Sequence, residues 1–321
     1  MKTYDLTIVG AGPVGLYATF YAGMIGLNVK LIEASEQLGG QPASLYPEKK
    51  IYDIPGLPAI SAHDLTENLI AQLETVEHTT IFGQKLEKIT GEIGDFTLHT
   101  NQEKHHSRAI LLTTGSGQIS PRKLGIDQED ELNAQNKLNY FIRNLAEYHE
   151  KNVVIFGGGD SALDMALMLE NVATEVHLIH RRKDFRAHDL TVKQLENSTI
   201  QVHKPFALSD LTGNEIHLTE IKGENHHSIK FDKILVNYGF LTTSAEFTND
   251  MKLARNNKIA VNQVQESSIS GIYAAGDSCE YDGKVHLIAL GFGESIRAIT
   301  NMTKTIQFPS KIRHGHSSSL F

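Results

Sequence analysis

The sequence predicts an α/β chain of two Rossmann-like, three-layer dinucleotide-binding domains, the second inserted into a discontinuous first. Three observations predict this. Gly10-Ala11-Gly12-Pro13-Val14-Gly15 sits between a short apolar run, Asp5 to Val9, and a helical pattern from Leu16 to Gly26. About 147 residues later the same grammar returns, with Lys151 to Phe156, then Gly157-Gly158-Gly159-Asp160-Ser161-Ala162, then a helical pattern from Ser161 to Glu170. After that second unit an apolar strand, Ile272 to Ala275, and a long helix, Leu287 to Thr305, read as a return to the first domain.

The remaining elements fill in around these. Asn28 to Glu33 is a second strand, completing a βαβ unit, and Asp64 to Thr75 is an amphipathic helix. Thr79 to His106 alternates apolar and polar residues between glycines, as a small antiparallel sheet does, and Ala109 to Thr114 is a separate apolar strand ending at Gly115. Near Gln118 to Leu124, Ser, Pro and Lys flanked by Gly117 and Gly125 suggest a linker. In the second unit, Glu175 to His180 is the strand after the helix, and Ile234 to Tyr238 closes the unit. The expected boundaries are therefore 1–117, 118–243 and 244–321.

With 40% hydrophobic and 21% charged residues, the 321-residue chain has room for two cores and is not a disordered polymer. A net charge of −8 makes nucleic acid a poor partner, because no Lys/Arg excess is available to neutralise phosphates. Residues 6–29 carry no charge, but Gly10, Gly12 and Gly15 break that stretch at a spacing a strand, turn and helix explain, so no membrane span is expected. Cys279 is the only cysteine, which rules out an internal disulfide and a Cys-x-x-Cys redox pair and is compatible with a cytoplasmic location. No metal site is expected.

The first fingerprint fits G-x-G-x-x-G. Its first glycine permits the tight turn, its second lets a pyrophosphate approach the backbone, and its third lets helix and strand pack closely. Gly10, Gly12, Pro13 and Gly15 are thus candidate cofactor contacts, and Glu33, at the end of the next strand, can accept hydrogen bonds from a ribose diol. The second fingerprint, carried by Gly157, Gly159, Asp160 and Ser161, differs at the corresponding strand end. His180-Arg181-Arg182, with Arg186 close behind, replaces a lone carboxylate. Guanidinium groups there can grip the 2′-phosphate of NADPH with charge-assisted, often bidentate hydrogen bonds, whereas an acidic residue would bind the 2′-hydroxyl of NAD. The alternative meaning of such a run is a solvated basic turn.

Further motifs carry a resemblance. Thr113-Thr114-Gly115 before a Pro-containing linker, and Gly271-Ile272-Tyr273-Ala274-Ala275-Gly276-Asp277-Ser278, resemble the later motifs of pyridine-nucleotide-dependent flavoprotein disulfide reductases. Gly39-Gly40-Gln41, Leu45 to Lys49, Ile51 to Gly56, His180 to Arg186 and the ending His316 to Phe321 make the chain similar, along essentially its whole length, to the thioredoxin-reductase-like ferredoxin–NADP⁺ reductases. Pro42, directly after Gln41, departs from the aliphatic residue expected there.

The resemblance implies FAD on the first domain, with Glu33 at the adenosine ribose, Gln41 and Tyr46 near the isoalloxazine, and Asp277 at the ribityl-phosphate region. Leu86 and Ile119 are carried over as further contacts. Tyr46 would stack on one flavin face and His316 would cover the other, with Ser317 and Ser318 bonding near the reactive edge or the ribityl chain. The same resemblance implies a homodimer, hydride transfer from NADPH to the flavin, and a small one-electron carrier, ferredoxin or flavodoxin, as acceptor. Lys49 and Lys50 are candidate docking residues or simply a solvated surface pair.

Cys279 reads as a packing residue, so electrons are expected to leave directly from the flavin. The final helix, entered after Lys284-Val285-His286, is expected to point its positive end at the flavin's N1/O2 edge. Two rival functions follow from the same residues: an NADPH-dependent flavin reductase for quinones or other small acceptors, and a flavin-binding sensor that turns over slowly.

Overall fold

The computed structural model describes residues 2–313 and 318, apart from 118, 243–245, 249 and 255. The chain divides into two compact units, Met1–Gln118 with Thr242–Phe321, and Ile119–Leu241. Each is an α/β unit, the first around a mixed sheet with a parallel centre and the second around an all-parallel sheet.

In the first unit β1 (Thr3–Val9) runs into α1 (Pro13–Met24), which returns the chain to β2 (Val29–Ile32), parallel to β1. α2 (Gly40–Leu45) and α3 (Ala62–Leu73) follow. The Ser61 hydroxyl caps α3 by accepting from the Asp64 N–H at 2.9 Å, satisfying one of the helix's unpaired donors. The chain continues through β3 (Thr79–Ile81), β4 (Leu86–Glu92), β5 (Asp95–Thr100) and β6 (Lys104–Leu112). The sheet order is β3-β2-β1-β6-β5-β4, with Ile272–Ala274 also pairing on β6.

Two features differ from the sequence expectation. β3 does not belong to the antiparallel ribbon; it pairs in parallel with β2, because α3 supplies the crossover that a parallel neighbour requires. β6 joins in one strand what the sequence divides at His106 and Ala109. Its first half alternates buried and part-buried residues beside antiparallel β5, and its second half, Ala109–Leu112, is fully buried between parallel β1 and Ile272–Ala274.

The pleat sends successive residues to opposite faces. Leu6, Ile8, Leu31 and Leu111 pack with α1, α3 and the final helix, Ile288–Thr305, while Val9, Ile32, Ile110 and Leu112 pack with Phe96, Phe247 and Cys279.

The second unit repeats the plan. β7 (Leu138–Asn139), β8 (Asn152–Gly157), β9 (Glu175–Ile179), β10 (Gln201–His203) and β14 (Lys233–Asn237) form an all-parallel sheet in the order β7-β14-β8-β9-β10. α4 (Asp160–Leu169) covers one face, where Val153 and Ile155 meet Ala162, Leu163 and Ala166. An antiparallel layer of β11 (Phe206–Thr212), β12 (Glu215–Glu220) and β13 (His226–Lys230) covers the other, where Val154 and Phe156 meet Ile216 and Leu218. Among the described residues no helix is long and apolar enough to cross a membrane.

A histidine cluster lies at the sheet edge. His203 Nε2 is 3.2 Å from His177 Nδ1, and burial, reinforced by His177 and His227, pushes His203 down to about 4 from the ordinary 6.5. Between those two values the unfolded chain binds a proton at this position that the folded protein does not, so stability falls as the pH drops through that window. Replacing His203 with Asn is expected to flatten the decline of unfolding midpoint between pH 6.5 and about 4, measured by denaturant titration; an unchanged acid limb would disprove the assignment.

Candidate functional site

The candidate site of the first unit is built on the turn between β1 and α1. Gly10 has φ +102, and a β-carbon there would lie 2.6 Å from the carbonyl oxygen of Thr113. A β-carbon on Gly15 would overlap the carbonyl oxygen of Gly10, so helix and strand meet at a separation only glycine allows. The Thr113 hydroxyl locks this approach from β6's end, donating to the carbonyls of Val9 at 3.0 Å and Gly10 at 2.8 Å. Pro13 occupies the first turn of α1, where its missing N–H is no loss, and Gly12 at the N-cap makes no side-chain cap. The helix end therefore keeps donors for an anion, with Gly40 packed so closely on Gly12 that a β-carbon on Gly40 would lie 2.8 Å from the Gly12 Cα.

Glu33 follows β2 directly. Its carboxylate accepts from the Ala11 N–H at 2.6 Å and the Ser35 N–H at 2.8 Å, tying the end of the second strand to the glycine turn. Gln41 lies in α2, and Pro42 beside it is buried. Tyr46 ends α2, and its phenol is pushed up to about 12 by burial, then by Asp277 and Asp53. Asp277 thus acts on Tyr46 although the second unit separates them in sequence. It sits in the single helical turn Gly276–Ser278, its carboxylate half exposed and 3.1 Å from His286 Nδ1.

Leu86 is a core residue at 4% exposure, packed with the cluster that contains Phe96. Ile119 begins a short strand, Ile119–Pro121, that pairs with Phe240–Thr242. His316 and Ser317 lie outside the described residues, and Ser318 is exposed. Lys49 and Lys50 are both exposed. The final helix begins at Ile288 with Leu287 as its N-cap and no side-chain cap.

In the second unit Gly157 ends β8 and a β-carbon there would lie 2.6 Å from that of Ala162; on Gly158 it would overlap the His180 ring. His180 Nε2 lies 3.0 Å from the carbonyl oxygen of Asp184, and because a carbonyl only accepts, that nitrogen carries the proton. The ring stacks on Phe185 at 5.3 Å, and burial, with Arg182, Lys204 and Arg181 adding to it, holds the imidazole below its ordinary value. The Arg186 N–H donates to the Gly158 carbonyl at 2.7 Å, which pins the basic loop to the fingerprint. Asp160 accepts from the His188 N–H at 2.8 Å, and Ser161 is exposed in the first turn of α4. Arg181, Arg182 and Arg186 are exposed beside this turn, and among the described residues none is ion-paired. The loop is a concentrated positive field next to a helix N-terminus, suited to a phosphate.

A family model described as pyridine nucleotide-disulphide oxidoreductase matches residues 4–304. The chain belongs to that family. A ferredoxin–NADP reductase of Lactococcus lactis subsp. cremoris is 50% identical over 321 residues, covering 100% of both chains. A protein named ferredoxin–NADP reductase 2 from Listeria monocytogenes is 44% identical over 327 residues, covering 100% of this chain and 98% of its own. Thioredoxin reductase from T. acidophilum superposes with a TM-score of 0.78 at 21% identity, covering 95% of this chain and 99% of that one, a likeness of fold. The oxidoreductase is therefore an α/β protein of two Rossmann-like units. Among the described residues no cluster could hold a metal ion.

Sequence reasoning missed the pair Lys284 and Glu294, whose side chains are 2% and 1% exposed. A signal was present: Glu294 falls on the same helical stripe as the buried Gly291, Ser295 and Ala298, where a carboxylate needs a partner.

Cys279 is fully buried. Its thiol is pushed up to about 12, first by burial and then by Glu294. Native protein at pH 8 is expected to resist alkylation by iodoacetamide, with full labelling only after denaturation. Rapid labelling of the folded protein, followed by mass spectrometry, would show the thiol to be accessible.

Proposed function

We propose that this oxidoreductase is a ferredoxin–NADP reductase that binds FAD on its first unit and NADPH on its second. The observation that carries the reading is the state of Cys279: the single thiol is buried and protonated at neutral pH, so no protein dithiol stands between cofactor and acceptor. The full-length relatives named as ferredoxin–NADP reductases support the same acceptor class. The two compact units, Met1–Gln118 with Thr242–Phe321 and Ile119–Leu241, support a division into an FAD domain, 1–117 with 244–321, and an NADPH domain, 118–243.

The residues fit the cofactors. Gly10, Gly12, Pro13 and Gly15 leave the α1 donors open to a pyrophosphate, Glu33 is the carboxylate for the adenosine ribose, and Asp277 is the carboxylate for the ribityl-phosphate region. Tyr46 is neutral throughout the physiological range, so it offers an uncharged aromatic face and an O–H donor. Gln41 supplies a side-chain amide beside Gly115. When bound, FAD supplies a ring system that takes up a hydride from NADPH and releases electrons singly.

Gly157, Gly159, Asp160 and Ser161 form the NADPH turn, and Arg181, Arg182 and Arg186 hold the 2′-phosphate with His180 fixing their loop. His316, Ser317 and Ser318 are proposed to cover the flavin, and Leu86 and Ile119 to support it from further out. The acceptor is ferredoxin or flavodoxin, with Lys49 and Lys50 contributing to an electrostatic docking surface on a homodimeric, cytoplasmic enzyme.

Two measurements test this reading. The double replacement R181A/R182A is expected to raise the KM for NADPH about 10- to 100-fold while leaving that for NADH within about twofold, since charge-assisted bonds to the 2′-phosphate exist only in the first case. Equal loss with both cofactors would remove the phosphate assignment. In stopped flow, protein reduced by NADPH is expected to be reoxidised rapidly by ferredoxin or flavodoxin; fast reoxidation by a quinone alone would make it a flavin reductase instead.

A further inference from the structure

The second turn of the final helix and the Gly276–Ser278 turn are joined by a set of contacts that packing alone does not require. Glu294 Oε1 accepts from Lys284 Nζ at 2.5 Å and from the Tyr281 hydroxyl at 2.8 Å. Glu294 Oε2 accepts from the Gly276 N–H at 2.7 Å. Lys284 Nζ also donates to the Gly276 carbonyl at 2.9 Å. Both backbone polar groups of Gly276 are thus held by one ion pair, the carboxylate on its N–H and the ammonium on its C=O.

The position they hold is demanding. Gly276 has φ +71, and a β-carbon there would lie 3.1 Å from Val14 Cγ2, in the first turn of α1. Gly291 of the final helix packs on the same valine, and a β-carbon on it would lie 3.3 Å from the Gly276 Cα. The glycine-rich turn of α1, the Gly276 turn and the start of the final helix therefore converge on Val14. A rotation of the Gly276 peptide would redirect Asp277, the next residue, away from His286 and Tyr46.

Taking two charges out of water is costly, and a buried pair often adds no net stability over apolar residues of the same size. A device that fixes one backbone orientation is the better account of its presence. We propose that Lys284 and Glu294 are positioning residues that set the Gly276–Asp277 turn for FAD binding. The proposal rests on the reading of Asp277 as an FAD contact.

A double-mutant cycle on the holoenzyme separates the two, with FAD affinity read from flavin fluorescence on dilution. Asp277→Asn and Glu294→Gln are each expected to weaken FAD about tenfold or more, and the combination is expected to be no worse than the weaker-binding single variant by more than about threefold, because both act through one turn. Unchanged FAD affinity in E294Q, or a loss that multiplies fully with that of D277N, overturns the positioning role while leaving Asp277 as a contact. Unchanged affinity in D277N overturns the Asp277 reading itself. Should E294Q not accumulate as folded protein, the neutral pair K284M/E294Q enters the same cycle with the same expected coupling and the same refuting results.

Discussion

Where α1 leaves β1, the helix presses on the strand so closely that the Gly10 carbonyl fills the space a side chain at Gly15 would need. The other parts of the first unit's site are registered to that contact. Thr113 reaches it from the end of β6, Gly40 lies against Gly12, and Glu33 binds the N–H of Ala11 within the turn. The donors at the start of α1 point where the backbone sends them, so their direction is set by this approach and not by any flexible side chain. A site made of main-chain groups is preorganised to the extent that the backbone cannot move, and here three separate segments prevent it.

The second unit meets the same requirement with different chemistry. The ring of His180 fills the space above Gly158, and the Arg186 amide closes on the Gly158 carbonyl, so an imidazole and a basic loop stand where the first unit has a carboxylate. The two fingerprints differ as turns, Gly10 being left-handed and Ala162 standing where the first unit has Gly15, and their electrostatic surroundings differ more, a carboxylate in one and a basic loop in the other. That contrast is the physical content of the proposed division of labour, since a ribose diol wants an acceptor and a ribose phosphate wants cations. Burial holds the His180 imidazole below its ordinary value, and its bond to the Asp184 carbonyl makes it a support for the loop that carries the exposed arginines.

Both units were legible in the sequence because glycine spacing and apolar periodicity report local geometry. Gly10, Gly15 and Gly157 mark close approaches that no other residue tolerates, and Arg181 and Arg182 fall at a strand end that the pattern locates. The alternation up to His106 and the apolar run from Ala109 to Thr114 are visible in the sequence as two patterns, but nothing local says that Lys104–Leu112 is one strand with different neighbours on one edge. The parallel pairing of Thr79–Ile81 was hidden for a related reason: three residues carry too little periodicity to distinguish a ribbon from a sheet edge. The Lys284–Glu294 pair escaped because its meaning lies in a third residue, Gly276, that neither side chain can identify from the sequence. Tyr46 and Asp277 came from resemblance, and their electrostatic contact is a property of tertiary structure alone.

The strand Ile272–Ala274 takes its place against Ile110–Leu112 with the whole of the second unit intervening in the chain. During synthesis the first sheet is therefore left with an unfilled edge along the apolar second half of β6 until the inserted unit has emerged from the ribosome. All the strands of that inserted unit are contiguous in sequence, so it can close its own core first and shorten the distance the returning strand must search. Seen in this way, the insertion is also a folding linker: its own collapse brings together two chain ends whose union completes the first unit's sheet.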